Sequence, residues 1–185
     1  MREWVFRMRG GLWTALFAVI LFMLEPAEPV RVCACLALVV FGQAWRCWAV
    51  GYIGLYRGEN VKAQSLATRG PYALMRNPLY FGNFVIGFGW SIMAGLKGII
   101  IFTICFYLLY VLAIIPHEES FLLSKFGTEY EDYCVRVKRF WPSQLKVQDL
   151  RGKFDSGIIM RSEIHTIIST VIGTVIILAV SLCYT

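Results

Sequence analysis

Two short clusters in an otherwise apolar chain carry residue types able to do chemistry: Arg76-Asn77-Pro78 and His117-Glu118-Glu119. A guanidinium offers a rigid fork of donors, an amide both donates and accepts, and neighbouring carboxylates accept from hydroxyl and amino groups. Each cluster also has a plainer explanation. Proline is tolerated at a helix start, as at Pro78 and Pro116, and acids in a first turn complement the helix dipole. Arg76 and Asn77 can serve as interface anchors. What the rest of the chain places beside these residues therefore decides their meaning.

The surroundings are those of a membrane protein. Of 185 residues, 58% are hydrophobic and 16% charged, against about 25% charged in an ordinary soluble domain, and mean hydropathy is +0.62. Long apolar runs of this kind are read as membrane spans. Five are expected: Leu12 to Leu24, Val32 to Tyr56, Leu79 to Ala94, Ile99 to Ile115 and Ile164 to Cys183. The first follows a basic start, as a signal peptide does. The prolines of "EPAEPVR" and the lack of a small-x-small site argue against cleavage, so it is expected to be retained. The fold class is thus all-α, a multi-pass helical bundle with cytoplasmic interfacial helices.

Five spans put the termini on opposite sides, and the basic residues say which is which. Of 18 Lys and Arg, 15 fall at the N-terminus, between Arg57 and Arg76, and between His117 and Glu163, all on one side. Positive residues concentrate on the cytoplasmic face, which predicts N-terminus in and C-terminus out. The net charge of +6 is then explained by topology and anionic headgroups, which disposes of a nucleic-acid partner.

Between the third and fourth spans lies only "GLKG", so these two form a tight antiparallel hairpin. That hairpin brings the two polar clusters out at the same depth, side by side, on the cytoplasmic face. "TEYE" (Thr128 to Glu131) reads as a capping box opening a helix with Tyr130, Tyr133, Cys134 and Val137 on one face. Arg46 lies about 16 Å along its helix from Arg57, too deep for easy snorkelling. An arginine at that depth costs about 2.5–3.5 kcal/mol on insertion scales, and such residues face the bundle interior and pair. Gln43 shares its face.

The third span is rich in small residues, Gly82, Gly87, Gly89, Ser91 and Gly95, which let helices or a ligand approach closely. Gly87-Phe88-Gly89 is not a dinucleotide fingerprint, lacking both the strand and the third glycine. The six cysteines form no CxxC pair and, with only two distant histidines, predict neither a metal site nor a disulfide framework.

"LATRGPYALMRNPLYFGN" and "EESFLLSKFGTEYEDYCVRV", in that order and separated by a hairpin, resemble the two motifs of the isoprenylcysteine carboxyl methyltransferase and phospholipid methyltransferase superfamily. "RCWAVGYIG" resembles the end of that family's preceding span, and the likeness covers roughly residues 32–142. It implies a methyltransferase domain over 1–142, with 143–185 a linker plus an added transmembrane helix. It also implies S-adenosylmethionine as cofactor, bound at the cytoplasmic face, and an acceptor that is a lipid or a lipid-modified, for instance prenylated, molecule. Carried over residue by residue, the cofactor pocket would include Leu66, Ala67, Tyr72, Asn77, Pro78, Tyr80, Gly87, Gly89, His117, Glu118 and Glu119. The catalytic assignments would be Arg76, Glu119 and Arg46. Asn77 stands where the family has histidine; an amide can contact a cofactor but cannot act as a base at neutral pH. Sterol reductases resemble the same family in their C-terminal half, so a membrane reductase or a non-catalytic scaffold remain the alternatives.

Overall fold

In a computed structural model, residues 9–53, 66–140, 147–152 and 154–184 are described. The expected end of the second span at Tyr56 and the basic residue Arg57 lie outside them. Among the described residues the chain is helical and contains no strand. The elements are α1 (Arg9–Phe22), α2 (Pro29–Ile53), the single turn α3 (Pro71–Leu74), α4 (Pro78–Ile92), α5 (Gly95–Phe106), α6 (Ile115–Phe126), α7 (Thr128–Arg136), α8 (Ser156–Ile158) and α9 (Ile164–Cys183).

Among the described residues three apolar stretches are long enough to cross a bilayer: Pro29–Ile53, Gly95–Phe126 and Ser156–Cys183. α1 is a shorter apolar helix, and α4, at 15 residues, rises about 22 Å against a hydrocarbon core of about 30 Å. The chain is therefore an integral membrane protein built on three long helices, with two short apolar ones packed beside them.

α2 and α4 form the centre because their backbones can nearly touch. A Cβ at Gly82 would stand 2.4 Å from Arg46 Cγ and 3.0 Å from the Gly42 carbonyl oxygen, and one at Gly42 would stand 2.8 Å from Ile86. Small residues give such helix pairs their dispersion contacts, which in lipid replace the hydrophobic effect as the association force. Around this pair an aromatic core assembles. Trp13 of α1 meets Trp90, Phe102 and Tyr110 at centroid distances of 6.0–6.3 Å, and Phe106 stacks on Tyr110 at 4.4 Å. α9 docks by a hydrogen bond from Trp90 Nε1 to Thr174 Oγ1, 3.0 Å. Outward-facing side chains such as Phe22, Val40, Ile104, Val171 and Val175 are exposed, as a lipid-facing surface requires.

The hairpin between α4 and α5 turns at Gly95, whose φ of 65° suits a residue without Cβ. The helix that follows departs from the sequence expectation. It does not restart at Pro116 but runs without a break from Gly95 to Phe126, 32 residues, widening to π-helical turns over Tyr107–Ile114. A proline inside an α-helix removes a donor and clashes with the carbonyl four residues back. The wider turns just upstream accommodate Pro116 and let the helix continue. At 1.5 Å per residue, Glu118 and Glu119 ride about 35 Å along a single rod from the hairpin, beyond the hydrocarbon.

A second correction concerns "TEYE". α7 starts at Thr128, and the position before it is Gly127, at φ 50° and with no side-chain cap bond, so no capping box forms. Gly127 allows the sharp reversal between α6 and α7 that an L-residue would resist. The expected face of α7 is present: Tyr130, Tyr133 and Val137 are buried, with Cys134, Leu66, Leu122 and Phe126 packed on them.

Candidate functional site

The site is built where three segments meet: the stretch from Leu66 into the first turn of α4, the protruding end of the long α5–α6 rod, and α7 with the residues just after it. α7 is fastened by two bonds. Tyr133 donates its hydroxyl to the Tyr72 carbonyl at 2.7 Å, and the Arg76 N–H donates to the Lys138 carbonyl at 3.0 Å. Burial pushes the Tyr133 phenol above its ordinary range. The Tyr130 phenol is raised likewise, first by burial and then by the nearby Glu119 charge. Both hydroxyls stay neutral near pH 7 and are not bases; that of Tyr133 is hydrogen-bonded, while that of Tyr130 is buried without a hydrogen-bond partner.

Glu119 is the hub. Asn77 Nδ2 donates to its Oε1 at 3.3 Å, and Arg76 Nη2 stands 3.4 Å from the same oxygen. Arg139 grips both oxygens, Nε to Oε1 at 3.2 Å and Nη2 to Oε2 at 2.5 Å. This bond to Glu119 is the first cause of the raised Arg139 pKa. The Glu119 side chain is 14% exposed, so the charge is screened from water without being sealed away. Glu118 lies one residue earlier and accepts from the Tyr80 hydroxyl at 2.5 Å; Tyr80 in turn packs on Tyr110 at 5.4 Å. Two arginines face Glu119 while Glu118 is turned to a phenol. Arg76 Nε is buried without a hydrogen-bond partner.

The structure thus joins Arg76, Asn77, Tyr80, Glu118 and Glu119, with Tyr72 beneath them through Tyr133. Pro78 is the first residue of α4 and sets its start. His117 stands on the same helix turn as the glutamates. Leu66 and Ala67 line a neighbouring cavity of about 520 Å³ with Tyr52, Ile53, Thr68, Arg69 and Gly152; Leu66 also packs on the α7 aromatic cluster.

The remaining candidates lie elsewhere in the bundle. A Cβ at Gly87 would stand 2.4 Å from Phe102 and 3.0 Å from Trp13, and one at Gly89 3.1 Å from the Cys35 carbonyl oxygen. Both glycines face protein. Arg46 is buried inside, where its Nε donates to Glu163 Oε1 at 2.7 Å. Its Nη1 donates to Asn83 Oδ1 and reaches the Leu79 carbonyl at 3.4 Å. Gln43 Nε2 donates to the same Glu163 oxygen at 3.4 Å.

Arg139 and Glu163 were not anticipated. Arg139 stands among the basic residues of "VRVKRFWP", where topology already explained the charge. Glu163 had a readable signal: an acid at the mouth of the last apolar run, in a chain with an arginine buried at depth. Among the described residues no group of three or more His, Cys, Asp or Glu side chains could hold a metal ion.

The family model described as phospholipid methyltransferase matches residues 30–129. The chain is 30% identical over 147 residues to the nickel-cobalt-cadmium resistance protein NccN of Alcaligenes xylosoxydans xylosoxydans, covering 74% of this chain and 65% of that one. It is 30% identical over 88 residues to a Delta(14)-sterol reductase of Mus musculus, 45% of this chain and 20% of the reductase. It is 33% identical over 87 residues to Methanethiol S-methyltransferase 2 of Bradyrhizobium diazoefficiens, 47% of this chain and 32% of the relative. These matches span between a fifth and just under two thirds of the relatives' own lengths. No solved structure gives a significant match.

Proposed function

This chain belongs to the phospholipid methyltransferase family, and we propose that it is an S-adenosylmethionine-dependent methyltransferase whose acceptor is a lipid or lipid-modified molecule reached from the bilayer. The observation that carries the reading is the Glu119 hub, a carboxylate held by Arg76, Asn77 and Arg139 at the end of a membrane-spanning rod.

The residues present fit the cofactor. Glu118 and Glu119 can accept from its ribose hydroxyls or amino group. The buried, unpartnered Arg76 Nε can donate to its carboxylate, and the cavity lined by Leu66 and Ala67 offers room beside them. When bound, S-adenosylmethionine supplies a methyl group on a sulfonium, which leaves without acid assistance. The chain's task is therefore to orient donor and acceptor. Asn77 and Tyr80 hold the two carboxylates in fixed directions, and α7 covers the polar layer from the aqueous side. Tyr130 and Tyr133, kept neutral, contribute no proton transfer. An anionic acceptor would lose charge as the methyl moves, a change favoured in a water-poor setting.

The acceptor follows from depth. Pro78, Tyr80 and Leu79 begin a short helix that ends inside the apolar bundle, so an amphipathic molecule can present its head at Arg76 and leave its tail in lipid. We place this face in the cytoplasm from the distribution of basic residues. A cysteine at the exposed position Asp132 should resist an impermeant thiol reagent on intact cells, in a background without native cysteines, and label once membranes are opened.

Binding measurements separate the readings. S-adenosylhomocysteine should protect the purified protein against thermal unfolding and NADPH should not; the reverse result would support the reductase likeness instead. Incubating enriched membranes with methyl-labelled S-adenosylmethionine should then place enzyme-dependent label in the organic phase. Label confined to volatile or water-soluble thioethers, the products of methylating small thiols, would overturn the lipid acceptor while leaving the transferase.

A further inference from the structure

The family model ends at residue 129, yet the chain after it is tied into the candidate site at several points. Asp149 accepts from the Gly70 N–H at 3.0 Å and the Asp155 N–H donates to Gly51 at 3.0 Å. Tyr52 donates to the Leu150 carbonyl at 3.0 Å, and Gly152 lines the same cavity as Leu66 and Ala67. The deepest tie is Glu163. It is fully buried, 0% exposed, and its partner Arg46 is 3% exposed.

Two charges in that setting are expensive, and a well-packed apolar pair would often be no less stable. Stability alone does not explain the pair, and its connections suggest what does. Arg46 spends its Nε on Glu163 and turns Nη1 to Asn83 and to the Leu79 carbonyl. Both belong to the first two turns of α4, the helix that carries Pro78 and Tyr80. Pro78 has no N–H and Asn77 makes no side-chain cap bond there, so Arg46 ties down this end of α4 from within the bundle.

We propose that Glu163, contributed by the C-terminal segment beyond the family region, is a positioning residue: it holds Arg46 so that Arg46 fixes the start of α4, and with it Tyr80 on Glu118 and Asn77 on Glu119. The proposal rests on the methyltransferase reading for its ligand. It predicts that the added segment is part of the catalytic unit and not a separate anchor.

The test removes the polar link without leaving a buried charge. In full-length Arg46→Met/Glu163→Leu, thermal stability should stay near wild type, while affinity for S-adenosylhomocysteine falls on the order of tenfold to a hundredfold, as small displacements of positioning groups do. Asn83→Leu, which leaves the Arg46–Glu163 pair in place, should lower affinity in the same direction, and Glu163→Gln, which keeps an acceptor for Arg46, should restore most of it. Hydrogen exchange supplies a readout without ligand. The Phe81 amide, bonded to the Asn77 carbonyl at 3.1 Å, should exchange faster in the double variant and in Asn83→Leu.

Wild-type affinity in a double variant with unchanged Phe81 exchange would overturn the positioning role. If the double variant does not fold, Asn83→Leu decides by the same two measurements. If wild type itself does not bind S-adenosylhomocysteine, the methyltransferase reading fails, and Phe81 exchange alone decides whether Glu163 fixes α4.

Discussion

Apart from Arg31 with Glu25 and Glu28 near the start of α2, the described residues hold two Arg–Glu assemblies, which differ first in burial. Glu163 and Arg46 are 0% and 3% exposed, while Glu119, Arg76 and Arg139 are 14%, 17% and 36% exposed. The inner pair meets its partners from within the bundle and has no route to a ligand in water. The outer one has more cation than anion, an unpartnered donor at Arg76 Nε, and access to solvent. On the proposed reading, the same chemistry fixes helices in one place and binds a ligand in the other. Burial sets which.

The largest expected effect comes from breaking the inner pair on one side only. Glu163→Ala leaves a buried guanidinium uncompensated, and losing one partner of such a pair costs about 3–5 kcal/mol. Thermal unfolding in detergent should show a large drop, or no folded protein at all. Glu119→Ala should cost less, because Glu119, Arg76 and Arg139 are partly exposed and the arginines can recover water, which moves the loss toward the value for exposed pairs, about 0–1 kcal/mol. Equal losses at the two positions would erase the contrast drawn from burial.

The next effect reverses the ranking and concerns ligand. Glu119→Gln removes a charge-assisted acceptor worth about 1.5–3 kcal/mol, so calorimetry should give S-adenosylhomocysteine binding weaker by about tenfold to a hundredfold. Stability should barely move. Glu118→Gln should weaken binding too. Unchanged affinity in both well-folded variants would place the pocket elsewhere.

How much of this contrast was legible in the sequence depends on the kind of physics involved. Arg46 announced itself, because an arginine at membrane depth must be paired, and its pairing inside the bundle was expected from cost alone. Its partner was not, since an acid 117 residues away becomes a neighbour only once α9 is docked. The meeting of Arg76-Asn77 with Glu118-Glu119 followed from the tight hairpin, although "GLKG" is the first turn of α5 and the reversal is made at Met93, Ala94 and Gly95. Pro116 and Thr128 misled for a shared reason. Both are helix-start signals, and local propensity yielded to geometry: π-helical turns carried the rod through the proline, and Gly127 took the position a capping threonine would have held. Gly87 and Gly89 carried the ambiguity of all small residues in membrane helices, which serve ligand approach and helix packing equally well in sequence. Phe102, Trp13 and Cys35 are what stand against them.

The smallest effect tests the aromatic floor of the outer site. Tyr133→Phe loses one hydrogen bond to the Tyr72 carbonyl, worth about 1 kcal/mol, and Tyr130→Phe should be milder still near pH 7. Their signature is in the pH dependence. Both phenols are held above the ordinary phenol value of about 10, with burial the first cause. Above pH 10 the unfolded chain releases these protons while the folded chain keeps them. The unfolded state then binds fewer protons, so stability falls as pH rises. The contribution is intact below the unfolded pKa and is lost progressively above it. Replacing either tyrosine by phenylalanine removes one such group, so the decline of unfolding free energy between about pH 10 and pH 11.5 should be shallower than in wild type. Identical slopes would mean that the phenols ionise freely in the folded protein, and that α7 does not shield the layer on which Glu119 stands.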